Sequence, residues 1–290
     1  MIKTLIETLR PRQWIKNIVI FAGLIFDGQL TRLTPLLTVL AAFFLFCLVS
    51  GITYTINDLL DLEADRNHPM KRNRPIASGR LPTRQAILFV AFLALVTFPL
   101  AFRLNLLFGS ICIGYTLLML AYSKWLKHVM LIDVMVIAIG FVIRVVAGVV
   151  VITVEFFSPW LLILTTLLAL YLGFGKRASE LKLLDKSAGE HRKVLDGYTL
   201  PLLNQFITII TSAILITYVL YTFNAHPDQN RYTMMITIPM VLYGIFRYMT
   251  ILQTSTDAAT PEEVILHDRP LQISIILWGL SIFLILYLPI

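Results

Sequence analysis

Asn57-Asp58-Leu59-Leu60-Asp61-Leu62-Glu63-Ala64-Asp65 follows an almost wholly apolar run, Pro35 to Ile56, and sets three aspartates where a membrane span meets water. On a helix turning ~100° per residue, Asp58, Asp61 and Asp65 share a sector of roughly 60°. Carboxylates that close repel one another unless a cation neutralises them. Oxygen-only ligands suit a hard ion, so Asn57, Asp58, Asp61 and Asp65 read as a site for Mg2+, with Mn2+ as a substitute. Six cations follow at once: Arg66, Lys71, Arg72, Arg74, Arg80 and Arg84. Carboxylates for a metal beside cations for phosphate make a diphosphate site. The plainer reading, a polar helix end facing water, leaves that density of cations unexplained.

Outward from this stretch the chain is apolar. Of its 290 residues 58% are hydrophobic and only 14% charged, with a mean hydropathy of +0.80. A soluble protein carries near 25% charged residues. The composition therefore predicts an all-α, polytopic membrane protein, read as a single integral-membrane domain over 1–290. Nine stretches reach the length of a helical crossing: 14–30, 33–57, 84–102, 105–122, 131–152, 159–176, 200–223, 233–253 and 271–289. Pro99 and Pro239 fall inside spans and predict kinks. Arg10, Pro11, Arg12 and Lys16 interrupt the N-terminus, which does not read as a cleaved signal peptide. Cys47 and Cys112 lie in apolar spans and read as packing residues.

Charge sets the orientation. With the N-terminus assigned to the cytoplasm, twenty of the 24 Lys and Arg fall on that side of the spans. Only Arg32, Arg103 and Arg231 fall opposite, and Arg144 lies within a span. This asymmetry predicts a multi-pass protein of the cytoplasmic (inner) membrane, with the N-terminus and the chemistry inside and the C-terminus outside. It also accounts for the net charge of +7 through membrane lipids, with no nucleic-acid partner.

The remaining motifs collect on the cytoplasmic side. Tyr122-Ser-Lys-Trp-Leu-Lys127 precedes Asp133, an aspartate deep enough in a span to suggest function or a buried partner such as Lys127 or Arg144. Arg144 stands about three turns beyond Asp133 on the same face, so each is expected to meet another span or a ligand. Lys176-Arg177-Ala-Ser-Glu180 offers either phosphate-binding cations or an ordinary Lys176–Glu180 surface pair. Glu190, Arg192, Lys193, Asp196 and Tyr198 read as a cap or a solvated loop. The run Arg10-Pro-Arg-Gln-Trp-Ile-Lys-Asn17 suits an interfacial anchor or phosphate binding equally, with Arg12 and Lys16 placed to meet a lipid phosphate. His residues show no ligand spacing, and P-loop and hydrolase-elbow patterns are absent.

Taken together, these residues resemble the UbiA-type superfamily of intramembrane prenyltransferases. The match is to Arg10-Pro-Arg-Gln-Trp-Ile-Lys-Asn17, the Asn57–Asp65 motif, Arg74-Pro-Ile-Ala-Ser-Gly79, Tyr122–Lys127, Phe141-Val-Ile-Arg144, Lys176-Arg-Ala-Ser-Glu-Leu181 and Asp268-Arg-Pro-Leu271. Within the superfamily the chain looks most like the decaprenyl-phosphate phosphoribosyltransferase branch. The aromatic prenyltransferases carry a second D-x-x-x-D motif; here Asp133 is followed four residues later by Ile137. The resemblance implies a nine-helix UbiA-like bundle with a cytoplasmic cap of loops. It implies transfer of 5-phosphoribose from phosphoribosyl diphosphate to a polyprenyl phosphate, with catalytic roles for Asp58, Asp61, Lys127 and Asp133. Arg12, Lys16, Lys71, Arg74, Tyr122, Arg144, Lys176, Arg177 and Glu180 are the expected substrate contacts. Prenyl transfer on the same fold is the alternative enzyme; transport predicts polar residues on both faces and fits less well. A homo-oligomer is compatible with the sequence.

Overall fold

The computed structural model describes residues 2–69, 71–154, 158–184, 193–224, 233–254 and 261–288, and every regular element among them is helical. Besides short 3-10 turns, these are in chain order α1 (Ile2–Thr8), a 3-10 helix (Pro11–Phe21), α2 (Ala22–Phe26), α3 (Leu33–Leu60), α4 (Leu62–Asn67), α5 (Thr83–Leu104) and α6 (Leu106–Lys124). There follow α7 (Ile132–Val149), α8 (Pro159–Leu184), α9 (Leu200–Asn224), α10 (Ile238–Thr254), α11 (Pro261–His267) and α12 (Arg269–Tyr287). Among the described residues, eight helices are long and apolar enough to cross a membrane.

The first expected span, 14–30, takes another form. It is a 3-10 helix from Pro11 to Phe21, continued by the five residues of α2. Proline opens it, and the β-branched Ile15, Ile18, Val19 and Ile20 are poor α-helix formers. Three residues per turn align Asn17, Ile20 and Gly23, all buried. At ~2.0 Å and then ~1.5 Å per residue the segment reaches about 30 Å, the thickness of a bilayer core. It has the length of a span without being an α-helix. Pro99 is carried inside the continuous α5. Pro239, expected within a span, is the second residue of α10, where a preceding 3-10 turn (Thr233–Thr237) gives way to α-helix.

The chain forms two compact units. The first comprises residues 1–127 with 140–157, the second residues 128–139 with 158–290, so α7 contributes its opening turns to one and its remainder to the other. In the first unit Ile20, Leu24, Val39, Phe46, Phe108 and Tyr115 are completely or almost completely buried. Asn105 caps α6, its side-chain oxygen accepting from the backbone N–H groups of Leu107 and Phe108 at 2.8 and 3.1 Å. In the second unit Tyr171, Phe174, Leu203 and Tyr248 anchor the core, and the Tyr171 hydroxyl donates to the Ile245 carbonyl at 2.9 Å.

Two glycines let the N-terminal segment lie close to its helices. A Cβ on Gly51 would stand 2.7 Å from Leu9 Cδ2, and one on Gly148 would overlap the backbone carbonyl of Ile20. Backbone cannot yield as a side chain can, so the Gly148 contact is the stricter. Gly148→Ala is expected to cost about 1–3 kcal/mol as overpacking and to lower the thermal midpoint in detergent. Gly114→Ala, where nothing lies within 4 Å, should leave the midpoint unchanged or raised. Equal midpoints for the two variants would refute the close contact.

Candidate active site

Helix α3 delivers Asn57 and Asp58, and it stops at Leu60. Asp61 stands between α3 and α4 at φ −92° and ψ 12°, so the aspartates do not ride one continuous helix as expected. Backbone bonds still bridge the break, Asp61 N–H to Asn57 O at 2.9 Å and Asp65 N–H to Asp61 O at 2.8 Å. Pro69 disfavours helical backbone at His68, where α4 ends. Asp58 and Asp65 are buried at 2% exposure each, whereas Asp61 is half-buried.

The residues after α4 are shaped to present Arg74. Ile76 and Leu81 are each 1% exposed and pack with Ala86, Leu5, Leu59 and Leu62. Ser78 Oγ donates to the Arg74 carbonyl at 2.7 Å, and Gly79 supplies the left-handed turn at φ +76°. So fixed, Arg74 Nη1 lies 3.0 Å from Asp58 Oδ1 and 2.5 Å from Asp65 Oδ2. One guanidinium nitrogen thus bridges two buried carboxylates. Arg80 sits farther out, in an exposed pair with Glu7 at 2.9 Å, and it holds that carboxyl below its ordinary range.

Arg10 is the second cation on Asp58, with Nη2 2.5 Å from Oδ1. The sequence places it in a run suited equally to anchoring and to phosphate binding, without singling it out as a substrate contact. Its guanidinium also lies over the Tyr54 ring, 5.1 Å from the centroid. The backbone at Arg10 is left-handed, φ 51° and ψ 63°, immediately before Pro11. For a non-glycine residue that conformation costs on the order of 1 kcal/mol. Lys127 completes the group: Nζ lies 3.2 and 3.3 Å from the two oxygens of Asp61. Three carboxylates therefore face three cations in the first unit.

Asp58 and Asp65 aim at one point that a cation already holds, and their donors are hard oxygens, so a divalent ion fits there in kind. The geometry narrows the expected ligand set, however. Among the described residues no three His, Cys, Asp or Glu converge closely enough to hold a metal alone, so Asp61 is not gathered with the other two. Such a site needs further oxygens from water or phosphate, as Mg2+ usually does.

Arg144 is also buried in the first unit, at 5% exposure, but among uncharged groups. It donates to Asn17 Oδ1 (2.7 Å), the Gly140 carbonyl (2.6 Å) and Tyr115 Oη (2.7 Å), and lies over the rings of Phe46, Tyr115 and Phe141. Asn17 is seven residues along the 3-10 helix from Arg10, roughly 14 Å. Arg144 thus ties the 3-10 segment to α6 and α7 and stands apart from the carboxylates.

In the second unit Asp133 is completely buried, and its partner is neither Lys127 nor Arg144 but Arg177. Arg177 Nε donates to Asp133 Oδ2 at 2.7 Å, and its Nη1 donates to Glu180 at 2.5 Å. Glu180, offered by the sequence as a surface partner for Lys176, thus also meets Arg177. Tyr198 Oη donates to Asp133 Oδ1 and accepts from Leu131 N–H, both at 2.8 Å. Leu131 is itself left-handed, at φ 67°. Burial first, then Asp133, pushes the Tyr198 phenol up to about 12, which keeps it a donor. Of the other expected contacts, Arg12 and Lys71 are exposed, while Lys16, Tyr122 and Lys176 are partly buried. Glu190 and Arg192 lie outside the described residues.

Known proteins are similar to this chain in sequence and in fold. The chain is 32% identical to the decaprenyl-phosphate phosphoribosyltransferase of Mycolicibacterium smegmatis, covering 96% of this chain and 91% of that protein. It is 31% identical to the protein of that name from Corynebacterium glutamicum, over 98% and 87%. In fold it is similar to a UbiA homolog from Archaeoglobus fulgidus bound to DMAPP and Mg2+, with a TM-score of 0.71, 17% identity and coverage of 98% and 99%. Residues 18–263, carrying the aspartates, Arg74, Lys127, Asp133 and Arg177, match the UbiA prenyltransferase family, and the chain, a multi-pass membrane protein, belongs to it.

Proposed function

We propose that this protein transfers 5-phosphoribose from phosphoribosyl diphosphate to a polyprenyl phosphate and releases pyrophosphate. The observation that carries the reading is the condition of its acidic residues. Among the described residues, the Asn57–Asp65 stretch sets three carboxylates against three partly exposed cations. Asp133, where a second acidic motif would begin, is closed off by Arg177 and Tyr198, and Ile137 supplies no second carboxylate. A donor held by two acidic motifs, the arrangement of aromatic prenyl transfer, is the less favoured reading. The names of the relatives point the same way.

Asp58 and Asp65 would hold the metal in the proposed site, with water or phosphate oxygens completing its shell and Asp61 and Asn57 assisting from nearby. Mg2+, or Mn2+ in its place, supplies the charge that stabilises the departing pyrophosphate. Arg10, Arg74 and Lys127 face the donor phosphates, where each charge-assisted contact favours the more negative transition state. As the C1–O bond of ribose loosens, positive charge develops on the sugar ring. The acceptor phosphate is ionised at pH 7 and attacks C1 without a strong general base. Positioning and neutralisation then account for most of the rate. Asp133 holds Arg177 in place in this scheme, and Arg144 positions the 3-10 segment. Arg12 and Lys16 serve the acceptor phosphate at headgroup level, and the polyprenyl tail extends into lipid.

Purified protein supplied with Mg2+, phosphoribosyl diphosphate and a polyprenyl phosphate should yield a product heavier by one phosphoribosyl group. Asp58→Asn should lower kcat at least 100-fold while the protein still folds. Turnover of a prenyl diphosphate, with none of phosphoribosyl diphosphate, would contradict the assignment. The distribution of Lys and Arg supports a cytoplasmic site. A cysteine at Arg103 should react with an impermeant thiol reagent from outside intact cells and one at Arg72 should not; the opposite pattern would reverse the topology.

A further inference from the structure

Asp58, Asp61 and Asp65 are matched one for one by Arg10, Arg74 and Lys127. The group is electrically closed as it stands. A divalent cation entering alone would leave two surplus positive charges beside side chains that are 2% exposed, and a diphosphate entering alone would leave surplus negative charge. Neither is favourable in a poorly solvated place. The two must therefore enter together, or one resident cation must leave its carboxylate.

The three cations are not equally held. Arg74 is gripped by two carboxylates and presented by a loop whose apolar anchors are buried. Lys127 meets Asp61, which is itself half-buried. Arg10 has a single carboxylate, a side chain 27% exposed, and a second resting place over Tyr54. Its backbone is left-handed at the junction between α1 and the 3-10 helix, a conformation that persists only where the surroundings hold it.

We propose that Arg10 is an exchangeable counter-ion: it neutralises Asp58 before the donor arrives and passes to the donor's diphosphate when a divalent cation takes Asp58. The inference rests on the reading above only in assuming a metal-bound diphosphate donor. It assigns Arg10 two roles of opposite sign, excluding the bare metal ion and attracting the diphosphate. It also makes metal and diphosphate bind with positive coupling, each raising the affinity of the other by the same factor.

The test uses the full-length protein in detergent or nanodiscs, with free Mn2+ measured by electron paramagnetic resonance and pyrophosphate binding by calorimetry. In the wild type, pyrophosphate should tighten Mn2+ binding. Arg10→Gln leaves one negative charge uncompensated, so Mn2+ alone should bind on the order of tenfold more tightly. Pyrophosphate at saturating Mn2+ should bind on the order of tenfold more weakly in the same variant, having lost a charge-assisted contact. Arg10→Lys, which keeps the charge, should return both constants toward wild type, and it provides the measurement should Arg10→Gln not fold. A structural role for Arg10 weakens both affinities together; that result, or unchanged Mn2+ affinity, would overturn the proposal. Phosphoribosyl diphosphate and a prenyl diphosphate are titrated in parallel. Binding of the prenyl compound alone would remove the donor assignment, while the Mn2+ and pyrophosphate arms would still decide the role of Arg10.

Discussion

One guanidinium nitrogen, Nη1 of Arg74, lies within hydrogen-bond reach of both Asp58 and Asp65, and the cytoplasm-assigned end of the first unit is organised around that contact. Two carboxylates this buried repel one another in a medium that screens poorly. Removing the shared cation leaves uncompensated buried charge, typically at a cost of about 3–5 kcal/mol. The surrounding sequence serves the contact: the break at Asp61 turns α4, and Ile76 and Leu81 pin the loop that carries Arg74. Arg10 and Lys127 then neutralise what Arg74 alone cannot.

Three buried charged groups in this chain are stabilised in three ways, and the differences bear on function. Arg144 is surrounded by oxygen acceptors without formal charge and by aromatic faces. That environment orients a cation and keeps the 3-10 segment against α6 and α7. Asp133 is paired with Arg177, and its other oxygen accepts from Tyr198, so its capacity is used within the second unit. The Asp58–Asp65 group differs from both. Its cations are partly exposed and its carboxylates are buried, so the pairs can be remade when an anion arrives. Chemistry that handles a diphosphate needs that third condition.

The long helices were legible because about twenty apolar residues admit few alternatives to a helical crossing. The clustering of carboxylates with cations at Asp58–Asp65 was legible because charges beside such a run are costly without partners. The first segment was not, since hydropathy reports length and polarity but does not separate a period of 3.0 from 3.6 over eleven residues. Arg10 could be read only as one cation in a run suited to anchoring or phosphate: its place in the site comes from a left-handed backbone and from Asp58, 48 positions away. The Asp133–Arg177 pair joins residues 44 apart, beyond the reach of any local spacing rule. For Arg10 and for Asp133 the missing information was a long-range contact, which no local pattern encodes.

The central claim is that Arg74 stabilises this end of the protein by neutralising buried carboxylates. A double-mutant cycle on thermal or denaturant stability, with Asp58→Asn, Arg74→Gln and the two combined, measures that coupling directly. The account predicts strong non-additivity, with the combined variant more stable than the sum of the single losses by about 1 kcal/mol or more, because each single change strands a charge that the other removes. Additive losses would mean that the two groups act independently and would contradict the account.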